Sequence, residues 1–430
     1  MLKKVFYGLI ISVLLLLMFS CAGQNSPANL AGYQVLVEPT LDYEYVGAFS
    51  DGLATVVKNG KWGYIDKDGR EIISCIFDYA EPFHEGLAQV CVTIDVKEEE
   101  RGWTPFYGLI DKEGEPIVMV DYEFIGEFKD SLARVMREDA FGYLDESGQL
   151  IVPCQYEQAG DFCEGLAAVS WENRLGYIDN TGEIIIPFKF EYIYSHDFSE
   201  GLAPVYNDNK IGYIDTTGKL VIPCRYEYAG SFSDNLAVAA LAGPEGAKMG
   251  YIDHSGQTVI PFKYETALSF NDGVAQVNMG YEQGLCYIDT SGELIARYDD
   301  YDTIGNFREG LAPVCKGAKW GFIDKTGDLV ITYEYEWAED SGFCDGLARV
   351  RKDNKWGYID KTGQVAVPFE YAVLYDFAGG FAAAIKEGKF GVVDKAGNEI
   401  VPFEYEFIGY VGEGLAFMQE GGKWGILELK

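Results

Sequence analysis

Residues able to do chemistry are plentiful in this chain, but their spacing rarely suits catalysis. The three histidines, His84, His196 and His254, fall at unrelated offsets. A phosphate-cradling Walker loop, a nucleophile elbow and a zinc-binding helix motif are all missing from the sequence. The 68 Asp and Glu residues offer carboxylate pairs of the kind glycoside hydrolysis uses. Most of them, however, recur at turn and strand-end positions, which favours a structural role. Asp66-Lys67-Asp68-Gly69 begins like a calcium loop, yet Arg70 stands where the next acidic ligand belongs. The sequence therefore assigns no catalytic residue, no metal and no cofactor, and the chain reads as non-enzymatic.

Of the nine cysteines, Cys21 is set apart. Lys3 and Lys4 precede an apolar run over residues 5–19, which is short for a membrane span and suits a secretory signal. The run ends in Ser20-Cys21-Ala22, similar to a bacterial lipobox, so Cys21 is the expected lipidation site. Residues 1–20 are read as signal peptide and residues 21–34 as a lipid-anchored tether, flexible because residues 22–32 are small and polar. The other cysteines replace Phe or other non-thiol residues at repeated positions, as Cys75, Cys154 and Cys224 do. That placement makes them space-filling side chains. No C-x-x-C pair or nearby histidine supports a metal site, and a disulfide between some pair stays open.

The formal charge is −34. A surface of that sign repels nucleic acid and anionic lipid and favours cationic partners. Aromatic content of 15% is far too high for an unfolded acidic chain.

What positions these residues is a repeat, clearest over residues 346–371, where the chain reads GLARVRKDNKWGYIDKTGQVAVPFEY. Its glycine recurs at Gly63, Gly108, Gly142, Gly176, Gly212, Gly250, Gly321, Gly357, Gly391 and Gly425, with Cys286 in its place once. About eleven units follow at a period of roughly 34 to 38 residues after a longer first step. Trp62, Trp320, Trp356 and Trp424 precede four of the glycines. A second anchor is F-x-x-G-L-A, as at Phe83 and Phe343, and a third is I-x-P followed by Phe or Cys and then Tyr-Glu, as at Pro153 and Pro187.

Within one unit the pattern predicts a strand from Leu347, a polar turn at Asp353-Asn354-Lys355, and a strand from Trp356 to Asp360. A type I turn at Asp360-Lys361-Thr362-Gly363 leads to a third strand ending at Pro368, a residue that marks a strand end or an edge. Trp356 and Tyr358 point one way and Ile359 the other; Val365 and Val367 oppose Ala366. A sheet apolar on both faces needs cover on both sides, and the next unit is the obvious cover. The glycine is expected to permit close backbone approach under an aromatic ring. The segment leading to the next unit reads as either a short fourth strand or a helical turn.

These three anchors in register are those of tandem WG repeats, and the chain resembles the WG-repeat (KWG-repeat) family of bacterial proteins over residues 35–430. The resemblance implies an exported lipoprotein of the cell envelope and brings no catalytic residues with it.

The expected fold is an all-β tandem array of stacked antiparallel β-meanders in an open or loosely closed superhelix. A propeller-like closed ring or two rings are the alternatives, because the ends (residues 35–39 and 423–429) could complete one unit. The expected function is an envelope-tethered, protein-interaction scaffold without nucleic acid, held at the membrane only by its lipid. The alternative is a carbohydrate or peptidoglycan binder. Variable turns between the first two strands would form one face, with Trp103, Trp171 and Tyr281 as a candidate binding rim.

Overall fold

Each repeat becomes one four-stranded antiparallel sheet. The computed structural model describes residues 32–95, 103–191, 197–244, 246–280, 284–340 and 342–430. The ninth sheet shows the plan, with a short strand Trp337–Ala338 followed by Leu347–Lys352, Lys355–Asp360 and Val365–Tyr371 in sequential order. The segment between units is thus a short strand, which opens the following sheet. Ten hydrogen-bonded sheets form; one is seven-stranded and joins two repeats through the single pair Glu191↔Tyr206, so the units number eleven.

The central hairpin turns sharply because Asp353 and Asn354 both take positive φ, 52° and 60°, the geometry of a type I′ turn. The following turn is held by Asp360, whose Oδ1 accepts from the backbone N–H groups of Thr362 and Gln364 and from the Thr362 hydroxyl. The third anchor then builds a broad bulge. Trp356 pairs with Tyr371 and Tyr358 with Val367, so Gly357 alone faces Pro368, Phe369 and Glu370. A Cβ on Gly357 would lie 2.6 Å from the Val367 carbonyl oxygen and 2.8 Å from the Phe369 ring. The close approach expected of this glycine is therefore to the bulged backbone and to the ring together. Pro368 does not end its strand; it sits in the bulge of an edge strand, where a missing N–H costs no ladder bond. Val365 also departs from expectation. It is exposed at the strand's open end while Val367 is buried.

Both faces of each sheet are covered by neighbours. Ile359 packs with residues of the eighth sheet and Tyr358 with residues of the tenth. A third-strand tyrosine is the usual fastening: Tyr213 is fully buried, lies 5.0 Å from the Phe232 ring of the next sheet, and donates its hydroxyl to the Gly230 carbonyl at 2.7 Å. Tyr64 and Tyr143 repeat the arrangement with Phe83 and Phe162. The F-x-x-G phenylalanine is thus the partner of the preceding unit's tyrosine, and each such buried ring contributes about 1.5–3 kcal/mol.

The array closes on itself. Tyr33–Leu41 pairs antiparallel with Lys423–Leu429 and supplies the fourth strand that the last unit lacks. Even the bulge is reproduced: Val37 pairs with Ile426 and Leu41 with Trp424, leaving Gly425 opposite Glu38, Pro39 and Thr40. This last sheet packs against the tenth on one side and the first on the other. The Glu413 carboxylate accepts from the N–H groups of Asp51 (2.7 Å) and Gly52 (2.9 Å), and the Trp424 Nε1–H donates to the Tyr43 carbonyl (3.0 Å). The all-β array of stacked meanders is as expected, and of its open and closed forms the closed one is realised.

Candidate interaction surfaces

Alternating strand direction gives the ring two kinds of rim. One carries the central hairpin tips. The other carries the turns that enter the second strand and leave the third.

At the hairpin rim, a carboxylate from the link between sheets caps several of the tight turns. Glu157 accepts from the N–H groups of Glu172 and Asn173, Glu336 from Asn354, and Glu406 from Gly421. This explains the glutamate of the Tyr-Glu anchor, whose purpose the sequence alone does not disclose. Trp171 ends the strand Leu166–Trp171 at such a tip, with 44% of its surface exposed. Its ring meets Tyr156 of the preceding sheet edge-on at 6.4 Å, so part of it serves the sheet interface. Trp103 begins the third strand of the second sheet and pairs with Asp95 at the same rim. Tyr281 and Cys21 lie outside the described residues. Trp103 and Trp171 share a rim but belong to the second and fourth sheets, with a whole sheet between them, so they do not form one pocket.

The opposite rim is a circle of acids. Asp51, Glu164, Asp234 and Glu309 each sit at positive φ in a tight turn. Each accepts a backbone N–H from the next sheet's equivalent turn, that of Gly86, Gly201, Gly273 or Gly346. From the eighth sheet onward lysines reach back to these acids, as Lys325 to Asp272, Lys361 to Glu309 and Lys395 to Asp345. Asp145, Asp179, Asp215 and Asp360 hold their carboxyls below the usual range, chiefly because Ser147, Thr181, Thr217 and Thr362 donate hydroxyls to them. Asp66, the start of the calcium-like stretch, spends Oδ1 on the N–H groups of Asp68 and Arg70. Among the described residues no cluster of His, Cys, Asp or Glu could hold a metal ion.

A cavity of about 270 Å³ opens where the eighth, ninth and tenth sheets meet, lined by Arg308, Asp345, Arg349, Asp376 and Lys395 among others. Arg349 is engaged there, donating to the Leu374 carbonyl and the Glu339 carboxylate. None of the described cysteines forms a disulfide. Burial pushes the thiols of Cys75, Cys154 and Cys224 up, consistent with packing rather than reactivity.

The signature of the WG-containing repeat matches the chain eleven times, from residues 34–62 through 176–210 and 249–282 to 390–424. No curated protein matches. Two solved structures are similar at a distance. A eukaryotic initiation factor is 10% identical, with 89% of this chain and 97% of that one covered at a TM-score of 0.41. PorZ, a surface component of the type-IX secretion system of Porphyromonas gingivalis, is 10% identical over 92% of this chain and 65% of that one, at a TM-score of 0.26.

Proposed function

The chain belongs to the WG-containing repeat family, and we propose that it is a non-catalytic scaffold for protein interaction, exported and tethered to the cell envelope through a lipid on Cys21. One observation carries the reading. The recurring carboxylates, the chain's richest store of chemical groups, are taken up by turn backbones within the ring, as with Asp360, Glu157 and Asp51. What differs between units includes the long strands Ala88–Asp95 and Trp103–Ile110 of the second sheet and the half-exposed Trp171. A rigid ring with variable tips suits recognition of a partner by a few aromatic anchors.

Affinity capture from detergent-solubilised envelope, with the purified protein as bait, tests the proposal. A stoichiometric protein that survives glycan-degrading treatment and is lost when residues 92–106 are shortened is the expected result. Retention of cell-wall polysaccharide with no such protein would overturn it in favour of a glycan binder. Intact mass of the membrane fraction should show Cys21 lipidated; an unmodified Cys21 would remove the tether.

A further inference from the structure

A run of aromatic rings crosses the closure of the ring. Tyr410 of the eleventh sheet meets Tyr45 of the first at 5.7 Å; Tyr45 meets Trp62 at 5.4 Å; Trp62 meets Tyr79 of the second sheet at 5.1 Å. Tyr45, Tyr79 and Tyr410 are 36%, 42% and 40% exposed, so the run is a surface feature over three sheets.

Tyr410 is held there against its backbone preference. Its φ is 55°, and among the described residues it is the only aromatic one with positive φ. A bulky side chain in that region is costly and persists where the surroundings impose it. The repeat does not require the strain: the equivalent residues of the first two sheets, Ala48 and Pro82, have no positive φ.

We propose that this seam is a docking groove for a proline-rich, basic segment of a partner protein. The proposal rests on the scaffold reading and names the partner's chemistry. Ring geometry selects the class. Successive planes are tilted by 54° to 70°, so each ring covers a face of the next and the exposed surface is a series of ridges and clefts. Flat sugar rings need open ring faces, whereas the ridged polyproline II helix seats its prolines between aromatic side chains. Charge selects the basic member. Acids outnumber bases 68 to 34, and Glu81 stands two residues beyond Tyr79 at the seam's end. A neutral glycan gains nothing from that field, while arginines are drawn to it.

The test is titration of the purified protein with a synthetic proline-rich peptide carrying arginines, followed by tryptophan fluorescence and calorimetry. Saturable binding is expected, weakened by added salt and by about tenfold or more in Tyr45→Ala and in Tyr79→Ala, with Tyr228→Ala, an exposed tyrosine on the short strand of the sixth sheet, unchanged. Circular dichroism and thermal melts establish that the variants fold. No saturable binding, equal binding of the same peptide with glutamates in place of arginines, or unchanged affinity in both tyrosine variants would each overturn the proposal, as would binding of a cello- or chito-oligosaccharide at the seam instead. If a captured envelope protein is retained by the Tyr45→Ala, Tyr79→Ala double variant, the seam proposal fails while the scaffold reading stands. If no protein is captured by the unmodified ring, the scaffold reading fails.

Discussion

Gly357 and Cys286 occupy the same place in two sheets, and the sheets differ accordingly. In the ninth, Gly357 faces three residues of a bulged strand that runs seven residues, Val365–Tyr371. In the seventh, Cys286 pairs directly with Arg297 and Tyr287 with Ala296; the broad bulge is gone and the strand Leu294–Arg297 has four residues. The Pro-Phe pair is missing there too, and a 3-10 turn, Tyr298–Asp300, takes up the following chain. The Cys286 side chain is fully buried among residues such as Val277 and Tyr264. Glycine, proline and bulge thus form one device: the two extra residues push backbone and a Phe ring over the third strand, and only a residue without a Cβ leaves room. Where the device is dropped, a side chain can return.

Substitutions can break this comparison, beginning with the largest expected effect. Gly357→Val drives a branched side chain into the Val367 carbonyl and the Phe369 ring, and should cost about 1–3 kcal/mol or more, read as a lowered midpoint in thermal or urea unfolding. An unchanged midpoint would remove the bulge as the reason for the glycine. Cys286→Gly should cost less, about 1–2 kcal/mol, from a small cavity and a freer unfolded chain. If it stabilised the protein, the seventh sheet would be a regular unit with a misfit residue.

The buried tyrosines sharpen the comparison further. Tyr213→Phe removes the bond to the Gly230 carbonyl but keeps the ring contact, and should cost about 1 kcal/mol. Phe322 already stands in that role in the eighth sheet, 5.1 Å from Phe343, so a severe loss would be unexpected. Burial raises the Tyr213 hydroxyl well above its ordinary range, and it remains a neutral donor at physiological pH.

The smallest effect concerns pH. Asp145, Asp179, Asp215 and Asp360 have folded-state carboxyls below their unfolded values. Their contribution is complete above the unfolded value, near pH 4, and is lost as pH falls through the folded one. Melting temperature should hold steady around neutrality and drop in acid. Asp360→Ala should flatten that drop slightly, each site being exposed and individually weak.

Much of the fold was legible because the repeat displays its own rules. The hairpin at Asp353-Asn354, the turn at Asp360, the two buried faces and the count of units can be read from residue types that recur in register. The bulge was less legible: Pro368 signals an edge, but that the strand continues past it depends on pairing with Trp356 across a sheet. The Tyr-Glu glutamate acts on a turn about fifteen residues away, and no local pattern announces that. The candidate rim was legible only as a set of variable turns. Trp171 is exposed as expected, yet it shares its ring with Tyr156, while the Tyr410 seam arises from sheets brought together by closure and has no trace in local spacing.

Closure is the central claim, and amide hydrogen exchange of the native protein tests it most directly. Paired with the last strand, residues 33–37 should be protected as strongly as residues 424–429, since one cooperative sheet holds both. Rapid exchange of the first strand beside a protected last strand would contradict it, leaving an open array with a free end.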